Sequence, residues 1–228
     1  TYMMDTAELE SHMDLTAEEL EEAYSNIRRI AAMCEDYSLL KPLKIPELKW
    51  KEYDYHLNHE LFQKIPMLHT FAMSEHHADN ALVDAIIDGI ENHPDLQNQR
   101  AYDEINMNLE MTWISSNVNN ARWSAYYLNL QKIIDTCWDA GSIVGPGRGS
   151  GVGFILLYVL GITQINPLRE TTKCFAWRFL NPERVSVLDV DFDIEGGRRA
   201  DVLNAFRREY GSDRVANVAT FRTEKSKS

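Results

Sequence analysis

The residues best suited to chemistry fall in two short segments, Gly145-Pro146-Gly147-Arg148-Gly149-Ser150 and Asp189-Val190-Asp191-Phe192-Asp193. The first is a glycine-rich turn that runs into an apolar stretch from Phe154 to Leu160. Backbone N–H groups at such a turn, with the positive end of a following helix, make a seat for phosphate oxygens. The second segment alternates carboxylates with apolar residues. On a strand this puts every aspartate on one face and Val190, Phe192 and Ile194 on the other. Aspartates two apart are spaced ~6.6 Å along a strand, so their carboxylates can converge on metal ions between them. A phosphate seat followed by a metal-holding aspartate pair is the minimum that nucleotidyl transfer requires.

Competing readings of these motifs fit less well. No Gly-Lys-Ser/Thr follows the glycine run, so it is not a Walker A loop, and it lacks the G-x-G-x-x-G spacing of a dinucleotide fold. Read as a calcium loop from Asp189, the aspartates put Ile194 where glycine is needed and Ala200 where the bidentate Glu is needed. Read from Asp191, the loop gains Gly196 but leaves Val202 at the Glu position. A bare row of like charges on a strand face repels unless a cation neutralises it, which favours a metal site. Arg148, Arg178 and Arg184 flank the motifs and suit guanidinium contacts to phosphate, against a background of ordinary surface arginines. His56, His59, His69, His76 and His77 form no acid-flanked H-x-H motif and read as packed or solvated side chains.

Around these residues the sequence resembles a known family. Val144 to Ser150, Leu160-Gly161-Ile162-Thr163, Asn166-Pro167-Leu168, Arg178 to Ser186 and the aspartate series follow the palm of C-family bacterial replicative DNA polymerases, the α subunit of DNA polymerase III. Tyr210-Gly211-Ser212-Asp213-Arg214-Val215 and then Thr220-Phe221-x-Thr223 continue the resemblance. It is strong from about Val144 onward, and over the first 140 residues it rests on position and helical character. Leu188 stands where the family has proline, the stretch from Leu168 to Arg178 is slightly long, and Arg222 replaces a glycine. These departures mark a divergent member of phage or prophage type.

The resemblance implies part of a DNA-directed DNA polymerase that adds deoxynucleotides to a primer 3′-OH with two Mg²⁺ ions. It implies Asp189 and Asp191 as the catalytic metal ligands, with Asp193 supporting them. Gly149 and Ser150 would take the β- and γ-phosphates, and Arg178 would contact the triphosphate. Arg148, Arg184 and Lys227 complete the implied nucleotide-binding set. The implied partners are primer–template DNA, deoxynucleoside triphosphates and other replisome proteins that bind regions outside this sequence. The family's third palm carboxylate is expected after the last residue. Two other readings therefore stay open: a non-catalytic nucleic-acid-binding or scaffold fragment, and a small stand-alone nucleotidyltransferase whose third carboxylate would be Asp201 or Asp213.

At 228 residues the chain can bury a core and hold one or two domains. No run approaches the ~20 apolar residues of a membrane span, and the N-terminal residues do not read as a signal peptide. No membrane partner is expected. Cys34, Cys137 and Cys174 are isolated and odd in number, which points to a reducing, cytoplasmic setting. The net charge of −12 is unevenly spread. Residues 1–140 hold 10 Lys+Arg and 25 Asp+Glu, a net −15; residues 141–228 hold 13 and 10, a net +3. The phosphate-binding equipment thus sits on a locally basic segment.

Thr16 and Glu19 form a capping-box pattern ahead of an apolar stripe from Leu20 to Ala31, so residues 1–38 read as helical. Pro42 and Pro46 mark an extended connector. Residues 55–140 read as largely helical, with a break near Asn92-His93-Pro94. A buried helix over 150–160 follows, then a strand over 187–194, a turn at Gly196-Gly197, a helix over 198–210 and a second strand over 215–220. The expected fold is α+β: a mostly helical N-terminal part joined to a partial palm of the polymerase β-like nucleotidyltransferase type with a small mixed sheet. By resemblance, residues 1–40 are the tail of a PHP region, 41–140 a thumb-like helical section with its connector, and 141–228 the N-terminal half of the palm.

Overall fold

A computed structural model describes residues 5–34, 59–169, 175–183 and 188–220, and the chain divides into two compact units, Thr1–Pro42 and Leu43–Ser228. In the first unit, the Asp5 carboxylate caps α1 (Thr6–Ser11) by accepting the Glu8 N–H at 2.8 Å. The capping box read from the sequence opens α2 (Ala17–Met33): Thr16 Oγ1 accepts the Glu19 N–H, and the Glu19 carboxylate accepts the Thr16 N–H at 2.8 Å. Neither helix buries a residue, and Ile27, Ile30 and Met33 stay exposed.

The second unit holds α3 (Leu61–Lys64), α4 (Pro66–Ala72), α5 (His77–Asn92), α6 (Gln99–Val118), α7 (Trp123–Asp139), α8 (Ile155–Val159) and α9 (Arg199–Tyr210). Pro94 ends α5 as expected, because a proline ring cannot continue the helix; a 3₁₀ turn, Pro94–Leu96, follows. α5 packs on α4, α7 and α8, α6 packs on α4, α7 and α8, and α9 packs on α7. The apolar faces that the periodicity marks do form the core: Ala81, Leu82, Ile86 and Ile90 of α5 are buried with Leu128, Ile134 and Cys137 of α7. Gly89 lets α5 reach the backbone of α8, since a Cβ there would fall 2.2 Å from the Val159 carbonyl oxygen.

An aromatic ladder runs from α7 toward the glycine turn and Arg178. The Tyr127 ring lies 5.9 Å from Phe154, and Phe154 lies 5.0 Å from Phe179. All three are fully buried. Phe154 follows the glycine turn and Phe179 follows Arg178, so the glycine turn and the Arg178 turn are each pinned to the helical core by the ring beside them.

The expected mixed sheet does not form. Among the described residues there is no strand, only two isolated antiparallel bridges, Val144 with Ile194 and Arg148 with Asp191. The α+β assignment is therefore corrected to a helical fold with a short paired ribbon. Pro146 offers no N–H, and Gly147 and Gly149 turn to φ +119° and +72°, so extended pairing cannot run on between the bridges. Residues 215–220, expected as a second strand, are unpaired, and Val218 is 92% exposed. The helix expected over 150–160 is also divided: a 3₁₀ turn, Gly149–Gly153, leads through extended Phe154 into the short α8.

Candidate functional site

The glycine turn and the aspartate segment lie side by side. The Gly145 N–H donates to the Asp193 carbonyl at 2.8 Å and the Glu195 N–H to the Ile143 carbonyl at 3.2 Å, on either side of the Val144–Ile194 bridge. The alternation read from the sequence holds along this ribbon. Asp189, Asp191 and Asp193 are exposed, while Val190, Phe192 and Ile194 pack against the core. Gly149, at positive φ, comes so near the carboxylate face that its Cβ would stand 3.6 Å from Asp191 Oδ2.

Arg148 faces the same acids. Its guanidinium lies 3.7 Å from Asp191 and 3.6 Å from Asp193, with all three side chains well exposed to solvent. Pairs this wet contribute little stability, so Arg148 is free to exchange its partner for another anion. Arg178 sits on a second 3₁₀ turn, Ala176–Arg178, which packs against the Gly149–Gly153 turn. Ser150 is exposed on the glycine turn itself. Arg184 and Lys227 lie outside the described residues, as do Phe221, Thr223 and the Pro42–Pro46 connector.

One donor of the expected phosphate seat is occupied within the fold. The N-terminal N–H of α8 is already used: Ile155 donates to Asn108 Oδ1 at 3.1 Å, and Asn108 is fully buried. Anion binding would rest instead on the N–H groups of the 3₁₀ turn and on the arginines. The Asn166-Pro167-Leu168 motif is a tether, with Asn166 Nδ2 donating to Asp95 at 2.6 Å and its Oδ1 accepting the Leu168 N–H at 2.8 Å.

Tyr126 on α7 escapes sequence reading altogether. Its hydroxyl donates to the Leu188 carbonyl at 2.6 Å, one residue before Asp189. Burial, with the Asp189 charge adding to it, pushes this phenol up to about 12, so it stays a proton donor at neutral pH. In the sequence Tyr126 is one aromatic among several on α7 and carries no motif.

Among the described residues, no three His, Cys, Asp or Glu side chains are grouped to hold a metal ion. Asp201, a candidate third carboxylate, pairs with Arg198 at 3.1 Å. No helix among the described residues is long and apolar enough to cross a membrane.

A family model described as the bacterial DNA polymerase III alpha NTPase domain matches residues 80–228. The chain belongs to that family. Membership of the DNA polymerase III alpha family thus reaches further toward the N-terminus than the motifs beginning at Val144. The Probable DNA polymerase YorL of Bacillus subtilis (strain 168) is 30% identical over 239 residues, covering 100% of this chain and 18% of its own length. The DNA-directed DNA polymerase of Bacillus phage SPbeta is similar to the same extent. The DNA polymerase III subunit alpha of Deinococcus radiodurans is 42% identical over 110 residues, 48% of this chain and 8% of its own length. The chain therefore spans less than a fifth of the length of these curated relatives.

Proposed function

We propose that this chain is part of a template-directed DNA polymerase that adds deoxynucleotides to a primer 3′-OH. Residues 141–228 form the N-terminal half of its palm, 41–140 a thumb-like section with its connector, and 1–40 the end of a PHP region. The observation that carries this reading is the antiparallel pairing of the glycine turn with the aspartates, marked by the Arg148–Asp191 bridge. The names of the polymerases to which the chain is similar support it.

Asp189 and Asp191 fit magnesium. They offer hard carboxylate oxygens on one exposed side, and Mg²⁺ takes one or two carboxylates with water and substrate phosphates in its other positions. When bound, two such ions would ease deprotonation of the primer hydroxyl and neutralise the departing pyrophosphate. Gly149 and Ser150 present backbone N–H groups to the β- and γ-phosphates. Arg148 would exchange Asp191 and Asp193 for the entering triphosphate, which would leave both carboxylates unpaired and open to a cation. Arg178 meets the phosphates from the adjoining turn, and Arg184 and Lys227 add positive charge. Primer–template DNA is held by phosphate contacts on the basic 141–228 segment and by parts of the protein beyond this sequence, which also recruit other replisome proteins.

In the full-length polymerase, Asp191→Asn should abolish primer extension while circular dichroism and melting temperature stay unchanged. The amide is isosteric, and among the described residues the ion pair it weakens is the exposed one to Arg148. Near-normal extension by this variant would overturn the assignment.

A further inference from the structure

We propose that Tyr126 is a positioning residue for Asp189, holding one end of the aspartate ribbon against helix α7. This deepens the polymerase reading above and rests on its assignment of Asp189 as a metal ligand. The ribbon has two visible anchors. Asp191 and Asp193 are fixed by backbone pairing to the glycine turn, through the Arg148–Asp191 bridge and the Gly145 N–H bond to the Asp193 carbonyl. Asp189 lies outside that pairing. Val190 packs against the core on one side of it, and on the other the Leu188 carbonyl receives the Tyr126 hydroxyl at 2.6 Å. That carbonyl belongs to the peptide whose nitrogen is Asp189's own, so holding it limits the rotation that would swing the carboxylate away.

Tyr126 is itself well held. Its ring makes edge contacts with Trp123 at 5.8 Å and Tyr127 at 6.1 Å, and Tyr127 continues the buried ladder to Phe154 beside the glycine turn. One helix therefore touches both halves of the site: Tyr127 reaches Phe154 beside the glycine turn, and the next residue back holds the peptide carbonyl that precedes Asp189. Two carboxylates can share metal ions only if their separation is kept. A hydroxyl acting on the neighbouring peptide does this without entering the coordination shell.

The test is Tyr126→Phe in the full-length polymerase, which removes the hydroxyl and retains the ring contacts. Mn²⁺ is titrated by electron paramagnetic resonance without DNA or nucleotide, well below the melting midpoint of each variant. Steady-state primer extension and thermal melting accompany it. The expected result is about tenfold weaker Mn²⁺ binding and about tenfold lower kcat, with the nucleotide KM within about twofold. Unchanged Mn²⁺ affinity and kcat, whether or not the melting temperature falls, would show an ordinary packing bond and overturn the proposal. Asp189→Asn is measured in parallel. Normal extension by Asp189→Asn would remove the metal-ligand reading and this inference with it, whereas an inactive Asp189→Asn beside a normal Tyr126→Phe would remove this inference alone.

Discussion

Gly149 is constrained by its backbone rather than by space. Its φ of +72° suits a residue without a Cβ, and the missing Cβ would point toward Asp191 Oδ2 at 3.6 Å. A branched side chain there would strain the turn and stand between the phosphates and the N–H groups. Gly149→Val should accordingly raise the nucleotide KM of the full-length polymerase at least about tenfold, as loss of roughly 1.4 kcal/mol of binding would. Primer–template affinity depends on phosphate contacts spread elsewhere and should stay within about twofold. Steady-state kinetics with a DNA-binding titration checks both. The reverse pattern, weakened DNA binding with KM preserved, would make the glycine turn a structural hinge instead.

The helices that carry the site are held by a few polar contacts between elements. Asn108 of α6 caps α8, and Asp79 near the start of α5 accepts hydrogen bonds from Ser74 at 2.6 Å and from Ser124 of α7 at 2.5 Å. α5 also carries a repulsion. Burial, and then the charge of Asp88 one turn on, raises the Asp84 carboxyl above its usual range. A raised carboxyl pKa means that the folded state holds the proton more tightly, so stability is lost as pH rises through the carboxylate range. Asp84→Asn should therefore stabilise the protein at pH 7 by about 0.3–0.5 kcal/mol, the scale of a like-charge pair one turn apart. That gain should vanish by about pH 3, a unit below the unperturbed carboxyl, where Asp84 is protonated in both states. Urea melts at both pH values test this, and an equal effect at the two would rule out the charge as the cause.

At the scale of the whole molecule, the chain spans under a fifth of its curated relatives and groups no third carboxylate with the aspartate pair among the described residues. Two carboxylates shared by two ions give each few protein ligands and hold it weakly without substrate phosphates. The isolated 228-residue chain should thus bind Mn²⁺ weakly and extend no primer, whatever the metal supplied. Primer extension with labelled primer is the check. Metal-dependent synthesis that Asp191→Ala abolishes would instead make the chain a self-sufficient nucleotidyltransferase.

Local order was legible in the residues themselves. A capping box is written in two side chains three apart, and Thr16 and Glu19 form it. A period of two sorts faces wherever the chain is extended, so the aspartates point outward and Val190, Phe192 and Ile194 inward even without a sheet. The motifs from Val144 onward were enough to place the chain in its family. Whether that extended segment finds partner strands depends on distant backbone, and among the described residues it pairs with the glycine turn alone, at two bridges. The cap on Ile155 comes from 47 residues away, and the hydroxyl on Leu188 from 62 residues away. Neither leaves a mark in local composition or periodicity, because each is a single hydrogen bond whose geometry exists only once α6 and α7 have packed against the core.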